Sequence, residues 1–305
     1  MKGRKGLQLS KLDISLINNN ESISQNKKSF SSPMGTTYRE MGLSIGRDYM
    51  RFEGHVRSSS LSPKDLIIEE IIGRGACSIV KRARYSCTQE PYALKLFPIR
   101  DEHRREMLVK ELSAMCSLKY ECDCLVGLIG AFYDKMDGSV SIALEYMDRG
   151  SLRDFLRKHL HDWDKFHNNN NQVTHSYIKS KQGGLPEVII SSIAHQIIWG
   201  LGYLHFENMI HRDVKPENVL INSAGQIKLS DFGLASKHLK GETQLNQTVV
   251  GTSRYMSPER LRAKSYSFAS DIWSLGLILF ECSTGKYPFE EISSFVSLNI
   301  LSSSP

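Results

Sequence analysis

Short runs of apolar residues follow one another along the middle of the chain. Between residues 66 and 147, five runs rich in branched and aromatic side chains are separated by glycine or polar turns, which predicts β-strands. These runs are Leu66–Ile72, Ser78–Arg84, Pro91–Phe97, Leu125–Asp134 and Gly138–Met147. Between the third and fourth runs, Glu102–Leu118 places Leu108, Leu112 and Met115 on one helical face. Five strands and one helix are therefore predicted here.

After Gly150 the apolar residues lie three or four positions apart, which predicts helices. One helix begins at Pro186, and Asp271–Cys282 is apolar nearly all round, as in a helix buried within a lobe. Residues 161–184 include Asn168–Asn171 and are predicted to be a loose surface insertion. Strands followed by helices indicate an α+β fold with two lobes. The region 64–305 divides into a five-stranded N-lobe (64–147) and a helical C-lobe (148–305).

Residues 1–63 differ in composition from the rest of the chain. They are rich in serine and asparagine and hold ten Lys or Arg against five Asp or Glu, whereas the whole chain has a net charge of +6. Such a segment buries too little apolar surface to offset the entropy lost on ordering. We therefore predict a mostly disordered basic tail before a nearly neutral folded part.

Composition narrows the class of protein. Of the 305 residues, 40% are hydrophobic and 24% are charged, which is enough for two lobes and unlike a disordered or disulfide-stapled chain. No run approaches the roughly 20 apolar residues of a membrane span, and no signal-peptide core follows the basic N-terminus. No nucleic-acid-binding motif is present. We expect a cytoplasmic protein without a membrane span or nucleic-acid partner; the oligomeric state is left open.

Glycines at a turn between two predicted strands give the first indication of chemistry. At this turn the backbone could approach phosphates closely through Gly73, Gly75 and Ser78. The Val80 side chain could cover an adenine. An ordinary hairpin turn would have the same glycines, and Ser78 replaces the third glycine of the phosphate-binding pattern. This segment alone leaves both interpretations open.

A lysine within an apolar strand needs an anionic partner. Lys95 stands between Leu94 and Leu96 in the third predicted strand. Glu111 on the predicted helix is a candidate partner, and together the two could hold the α- and β-phosphates of a nucleotide.

The most specific motif is His-Arg-Asp-Val-Lys-Pro-Glu-Asn at 211–218, followed by Asp-Phe-Gly at 231–233. Phosphoryl transfer needs a carboxylate to accept the hydroxyl proton, a cation near the γ-phosphate and oxygen ligands for Mg²⁺. Asp213, Lys215 and Asn218 supply these three groups, and Asp231 offers a second metal ligand.

In this order and spacing the motifs resemble those of the eukaryotic protein kinases. The resemblance covers about residues 66–289 and implies ATP and Mg²⁺ in a cleft between the lobes. It implies that Asp271 accepts hydrogen bonds from the main chain of the catalytic loop. The catalytic residues it implies are Asp213, Lys215, Lys95 and Glu111, with Asn218 and Asp231 as metal ligands. The nucleotide-binding residues it implies are Gly73, Gly75, Ser78, Val80, Ala93, Lys95, Glu145, Met147, Asn218 and Asp231.

Two longer segments resemble one group of these kinases, the MAP kinase kinases. Residues 250–261 are similar to their substrate-docking loop, and residues 141–152 to their hinge, which places Leu144 at the gatekeeper position. The hinge and glycine loop are most similar to the plant-type third group. The resemblance implies phosphorylation of Thr and Tyr in the activation loop of a MAP kinase, and activation by an upstream MAP kinase kinase kinase. A serine/threonine-specific upstream kinase is disfavoured by the sequence of 255–261.

Regulatory and docking positions are also implied by the resemblance. Thr243 and Thr248 lie where the family carries activating phosphates, although the four residues between them depart from the family's spacing. A phosphate at Thr248 could pair with Arg212 and order the loop. The residues similar to a MAP kinase docking motif near 2–9 are Lys2, Arg4, Lys5, Leu7 and Leu9. Ordinary loop threonines and a solvated basic tail are the alternatives.

The chain departs from the family after Phe289, where it continues only to a serine-rich run at 302–304. We expect an incomplete C-lobe that lacks the last helices, and a Glu259 carboxylate without the arginine that normally pairs with it. Two hypotheses remain. The first is an active kinase; the second is a truncated product with weak or no activity that binds a MAP kinase or upstream partner as a scaffold or decoy. Because every catalytic position is present, the motifs do not separate them.

Overall fold

The computed structural model describes residues 29–32, 35–38, 43–46, 49–52, 55–58, 61, 63–75, 78–99, 101–134, 138–159, 183–237, 253–262, 265 and 267–289. These residues form two five-stranded sheets followed by a mostly helical part.

The first sheet is an antiparallel meander of four-residue strands. In chain order they are β1 (Ser29–Ser32), β2 (Gly35–Tyr38), β3 (Leu43–Gly46), β4 (Tyr49–Phe52) and β5 (His55–Ser58). β3 and β4 pack against the strand at 128–134, and Ile45 of β3 is 0% exposed. The prediction of disorder for 1–63 was therefore wrong over these strands. The serine-rich composition masked a short apolar–polar alternation at Leu43–Gly46, which is stabilised by packing on a second sheet.

The second sheet confirms the five strands and one helix predicted for the N-lobe. The elements are β6 (Leu66–Arg74), β7 (Ile79–Tyr85), β8 (Pro91–Pro98), α1 (Glu102–Ser117), β9 (Leu128–Asp134) and β10 (Ser139–Glu145). All neighbours are antiparallel, in the order β6-β7-β8-β10-β9. The α+β fold class is confirmed as well.

Helix α1 begins and ends where its sequence dictates. The Asp101 side chain accepts the N–H of Arg104 at 2.9 Å and caps the first turn, and Leu118 is already extended. Leu108 and Leu112, four residues apart, are fully buried against the second sheet. This burial fixes the rotation of the helix and therefore the direction in which Glu111 extends.

The helical part contains the core of the C-lobe. Its elements are α2 (152–159), α3 (Glu187–Phe206), β11 (Met209–Ile210), β12 (Val219–Ile221), β13 (Ile227–Leu229), β14 (Ser236–Lys237), α4 (Pro258–Leu261) and α5 (Ala269–Thr284). β12 pairs with β13, and β11 with β14. α3 packs on both α5 and β13, so the hairpin between β12 and β13 has a rigid support.

Among the described residues, α3 is long and apolar enough to span a membrane by length and composition alone. Its residues Ile193, Ile197, Leu201 and Leu204 are buried in the same core cluster as α5. A core helix passes the same test, so α3 is weak evidence for a membrane span.

Helix α5 covers the predicted helix Asp271–Cys282, and part of its apolar surface is exposed. Ile272 and Phe280 are 50% and 46% exposed, whereas the charged residues Asp271 and Glu281 are buried. The pattern of apolar residues did not indicate that Asp271 and Glu281 are buried, because both carboxylates bond to distant parts of the lobe.

The end of the predicted insertion is packed rather than loose. Residues 161–182 lie outside the described part, but Gly184 is buried, and a Cβ there would lie 1.9 Å from the main-chain oxygen of Ser283. The N–H of Leu185 donates to the carbonyl of Cys282 at 2.7 Å. The prediction of a loose segment was therefore wrong at Gly184, where glycine allows the backbone to approach the end of α5 closely.

Candidate active site

A buried carboxylate holds the loop between β11 and β12. Asp271 accepts the main-chain N–H groups of His211 and Arg212 at 2.9 Å each, and His205 Nε2 lies 2.9 Å from the same carboxylate. Burial alone would raise the pKa of Asp271, but the hydrogen bonds from His205 and the loop hold this pKa below its usual value. The bonds expected of Asp271 are therefore present.

These bonds support an unusual main-chain conformation next to Asp213. Arg212 has a left-handed φ of 70°, which is strained for a residue with a side chain. Arg260 Nη1 also donates to the carbonyl oxygen of Arg212, at 2.5 Å. Since both sides of the Arg212 peptide are bonded, the loop is fixed immediately before the candidate base.

Three side chains of the loop meet at one carboxylate oxygen. Lys215 Nζ lies 2.7 Å from Asp213 Oδ2, and Asn218 Nδ2 lies 2.9 Å from the same atom. Asn218 Nδ2 also donates to the main-chain oxygen of Asp213 at 2.8 Å. Asp213 is thus held between a cation and an amide.

The hairpin formed by β12 and β13 joins this loop to the second motif. Val219 pairs with Leu229, so Asn218 and Ser230 lie at the same end of the two antiparallel strands. Ser230 N–H donates to the carbonyl of Asn218 at 2.9 Å, and His211 Nε2 lies 3.1 Å from the carbonyl of Ser230. Asp231, the next residue, is therefore positioned beside the loop that carries Asp213.

Lys95, Glu111 and Asp231 form a second group of charges. Lys95 Nζ lies 2.8 Å from both carboxylate oxygens of Glu111 and 3.1 Å from Asp231 Oδ1. Lys95 is 9% exposed and Glu111 is 2% exposed. The three residues come from β8, α1 and the segment after β13, so one ammonium connects the N-lobe sheet, its helix and the C-lobe. The pairing of Lys95 with Glu111 is as predicted.

Burial and charge act in opposite directions on these groups. Burial alone would lower the pKa of Lys95, but the adjacent Glu111 and Asp231 carboxylates raise it well above its usual value. Burial would raise the pKa of Asp231, but Lys95 lowers it below the usual value. Glu111 is the exception, because burial outweighs Lys95 and raises its pKa to about 6. Glu111 is therefore the member of this group that first loses its charge as the pH falls.

The donor atoms near Asp231 fit a divalent cation. Mg²⁺ prefers carboxylate and amide oxygens together with phosphate and water. The depressed pKa keeps Asp231 ionised, and Asn218 directs its amide nitrogen to Asp213, which leaves its amide oxygen for a cation. Within the described part of the chain, no three His, Cys, Asp or Glu side chains are grouped so that they could hold a metal by themselves. A cation here would complete its shell with ligands from a nucleotide and water.

The end of β10 carries the residues predicted to contact adenine. Lys228 Nζ lies 2.8 Å from both carboxylate oxygens of Glu145, and the N–H of Gly127 donates to Glu145 Oε2 at 3.2 Å. Met147, two residues further, is buried, and its carbonyl accepts the N–H of Gly150 at 3.3 Å. The Glu145–Lys228 pair therefore connects this strand end to β13, three residues before Asp231.

The predicted glycine loop is a strand–strand turn next to Lys95. Gly73 pairs with Val80 across β6 and β7, and Val80 pairs with Lys95 across β7 and β8. Ser78 is buried, and its carbonyl accepts the N–H of Gly75 at 2.9 Å. The described part of the turn is therefore connected through β7 to the strand that carries Lys95, and Ala93 pairs with Leu144 on the neighbouring β10.

Several predicted positions lie outside the described residues. They are Thr243, Thr248, Lys2, Arg4, Lys5, Leu7 and Leu9. Glu259 is described, and its carboxylate has a hydroxyl partner; the expected loss of its usual arginine partner stays a prediction. Ser270 Oγ donates to Glu259 Oε1 at 2.6 Å. Burial would raise the pKa of Glu259, but the hydroxyls of Ser270 and Ser257 lower it, so its charge is compensated by hydroxyl groups.

One network of charged side chains around the buried Glu281 was missed by the sequence analysis. Arg153 Nη1 of α2 lies 2.5 Å from Glu281 Oε1 of α5, and Arg153 Nε lies 2.8 Å from Glu217 Oε1. Arg153 Nη2 also donates to the hydroxyl of Tyr255. Tyr255 in turn donates to Glu281. This network fixes Tyr255, in the segment predicted to dock substrate, against the C-lobe core. The only local signal for it was a glutamate, Glu281, directly after the mostly apolar stretch 272–280.

The sequence of residues 66–302 matches the protein kinase domain family. The chain therefore belongs to the protein kinase family, which agrees with the arrangement of Lys95, Asp213, Asn218 and Asp231 described above.

The curated relatives that match the chain include several MAP kinase kinases. The chain is 42% identical over 222 residues to mitogen-activated protein kinase kinase 3 of Arabidopsis thaliana, an alignment that covers 72% of this chain and 37% of that protein. It is 38% identical over 232 residues to mitogen-activated protein kinase kinase 1 of the same plant, with 76% and 58% covered. Over 228 residues it is 38% identical to dual specificity mitogen-activated protein kinase kinase 1 of Dictyostelium discoideum, with 74% and 30% covered.

These relatives confirm the predicted resemblance, and the higher identity to mitogen-activated protein kinase kinase 3 agrees with the expected plant-type third group. The chain spans 30% to 58% of the length of these three relatives.

The Glu145–Lys228 pair gives the first testable prediction. The Lys228 side chain is only 8% exposed, so Glu145→Gln leaves a poorly solvated ammonium, and Lys228→Met removes the same ion pair from the other side. We expect each change to lower the free energy of unfolding by about 1–3 kcal/mol, and the double variant to cost clearly less than the sum. Urea unfolding of the four proteins measures this coupling.

The exposed pair between Arg82 and Glu70, whose side chains are 32% and 57% exposed, is the matched control and should show a coupling below about 1 kcal/mol. Equal coupling in the two pairs would contradict a structural role for Lys228 at the strand end.

Proposed function

We propose that this chain is an ATP- and Mg²⁺-dependent MAP kinase kinase that phosphorylates Thr and Tyr in the activation loop of a MAP kinase. The observation that carries the proposal is the contact of Lys95 with both Glu111 and Asp231, at 2.8 and 3.1 Å. In this proposal, Lys95 would bind the nucleotide, and the contact brings it beside Asp231, the carboxylate that would bind the metal. The similarity to MAP kinase kinases supports the choice of substrate.

The reaction assigns a role to each group of the site. The substrate hydroxyl oxygen forms a bond to the γ-phosphorus, the bond from that phosphorus to the β–γ bridging oxygen breaks, and ADP leaves. Asp213 Oδ2 accepts the hydroxyl proton, and Lys215, 2.7 Å away, places positive charge near the transferred phosphoryl group. Lys95 holds the α- and β-phosphates, and Glu111 positions Lys95.

Asp231 and Asn218 would hold Mg²⁺, which supplies positive charge to the β- and γ-phosphate oxygens. The turn of Gly73, Gly75, Ser78 and Val80 would cover the phosphates and adenine. The main chain from Glu145 to Met147 would contact the adenine edge. In this role the Lys228 ammonium positions Glu145.

Regulation follows from the resemblance in the same way. Phosphorylation of Thr243 and Thr248 by an upstream MAP kinase kinase kinase would add charge that cationic side chains can bind, which orders the loop. Thr248 stands four residues before Thr252. The cations at 2–5 and the leucines at 7 and 9 would bind an acidic patch and adjacent apolar pockets on the MAP kinase.

The proposal predicts dual phosphorylation by the activated chain. The 305-residue protein with Thr243→Glu and Thr248→Glu should phosphorylate both Thr and Tyr of a catalytically inactive MAP kinase when Mg²⁺ and ATP are present. Adding Asp231→Asn should lower the rate by about 100-fold or more, because the metal loses its carboxylate ligand. Phosphosite-resolved mass spectrometry measures both products.

If the activated protein phosphorylates the MAP kinase no more than its Asp231→Asn control does, the enzymatic proposal is refuted and the scaffold or decoy hypothesis is favoured. Phosphorylation of Thr without Tyr would instead refute the dual specificity alone.

The docking motif is tested by deleting residues 1–9. We expect an apparent KM for the MAP kinase that is roughly 10-fold higher with little change in kcat, since the tether raises the local substrate concentration. Steady-state kinetics with a variant that keeps the length but carries Leu7→Ala and Leu9→Ala separates the leucine contacts from the positive charge. An unchanged KM in both proteins would refute the docking role.

A further inference from the structure

The sheet β1–β5 lies outside the region that matches the kinase family, and one of its residues enters the N-lobe core. Ile45 of β3 is 0% exposed and belongs to a buried cluster of the second sheet and α1. The other buried members of this cluster are Phe97, Ile99, Leu108, Val109, Leu112, Ala131, Val140 and Ile142. β3 and β4 both pack against β9.

Ile45 lies on the same side of the second sheet as α1. Successive residues of a strand point to opposite faces, and β9 and β10 show this clearly. Ala131 and Ile142 belong to the cluster that contains Ile45, whereas Phe132 and Ala143 belong to a separate cluster with Leu61. The first sheet therefore contributes a residue to the face that seats α1.

The position of α1 on the second sheet determines where the Glu111 carboxylate lies. Leu108, Val109 and Leu112 of α1 are buried in the cluster, and Glu111 lies between them in the sequence. A helix moves as a rigid unit over such a short distance, so a shift of these side chains also shifts the Glu111 carboxylate. Lys95 requires that carboxylate at 2.8 Å.

We propose that the β1–β5 sheet acts through Ile45 to hold α1 in the position that pairs Glu111 with Lys95. Ile45 is then a positioning residue for phosphoryl transfer, although it touches neither nucleotide nor substrate. Its effect on turnover rests on the kinase activity proposed above, whereas its effect on α1 does not depend on that activity.

Three variants of the full-length chain separate positioning from ordinary core stability. Ile45→Ala removes the packing group, and Ile45→Val is the conservative variant that retains most of it. Leu61→Ala is the matched control, because Leu61 is 4% exposed and loses the same number of carbon atoms from a cluster that contains no residue of α1. Hydrogen exchange of the α1 amides, measured without nucleotide, and steady-state ATP hydrolysis without protein substrate are compared for all three.

We expect faster exchange at 102–117 in Ile45→Ala and unchanged exchange in α3. In the same variant kcat should fall about tenfold as the competent position of α1 becomes less populated, and KM for ATP should change less than about twofold. Ile45→Val should restore most of kcat. Leu61→Ala should lower the melting temperature with kcat within about twofold of the parent.

Equal effects of Ile45→Ala and Leu61→Ala on α1 exchange would overturn the proposal, as would unchanged exchange in Ile45→Ala. If Ile45→Ala does not fold, the exchange of α1 in Ile45→Val decides: a selective increase there supports the proposal, and no increase overturns it. If the parent hydrolyses no ATP, the kinase proposal fails, while the exchange data still test the role of Ile45.

Discussion

The ammonium group of Lys95 is the interaction on which the candidate site depends. It contacts Glu111 on α1 and Asp231 beyond β13, and so connects both lobes at a single atom. A buried cation of this kind is costly unless it is fully paired, and removing either carboxylate would leave a poorly solvated charge. Because Lys95 and Glu111 are almost completely buried, β8, α1 and Asp231 have to keep the relative positions that bring these charges together.

The rest of the structure supplies rigid supports for these three residues. Asp271 fixes the main chain before Asp213, and the β12–β13 hairpin places Asn218 beside the segment that carries Asp231. One face of the second sheet packs against α1 and holds this helix in place. The Asp271 bonds join segments that are distant in sequence, and the Lys95 contact joins the two lobes, so the site is assembled only when both lobes have folded.

Much of this arrangement could be predicted from local sequence. The strands β6–β10 show apolar runs between glycine and polar turns, and a lysine between two leucines requires an acidic partner. The catalytic-loop motif places its functional groups within a few residues, so their proximity hardly depends on tertiary structure.

The remaining features depend on tertiary contacts that no local pattern reveals. Ile45 lies in a serine-rich region, and its burial follows from packing with residues of another sheet and of α1. Glu145 and Lys228 are 83 residues apart, and nothing near either one indicates the pair. The sequence predicts a loose insertion that ends at Gly184, whereas the lack of a side chain at Gly184 allows close packing on α5.

The pH dependence of turnover tests the central role of the Lys95–Glu111 contact most directly. Burial raises the pKa of Glu111 to about 6, so its carboxylate is charged at neutral pH and takes up a proton as the pH falls through that value. The kcat for ATP turnover is to be compared between the parent and Glu111→Gln from about pH 5 to about pH 8. The account predicts that the ratio of the two kcat values is large at neutral pH and declines towards one below about pH 6. A ratio near one at neutral pH, or a large ratio that stays constant across this range, would contradict it.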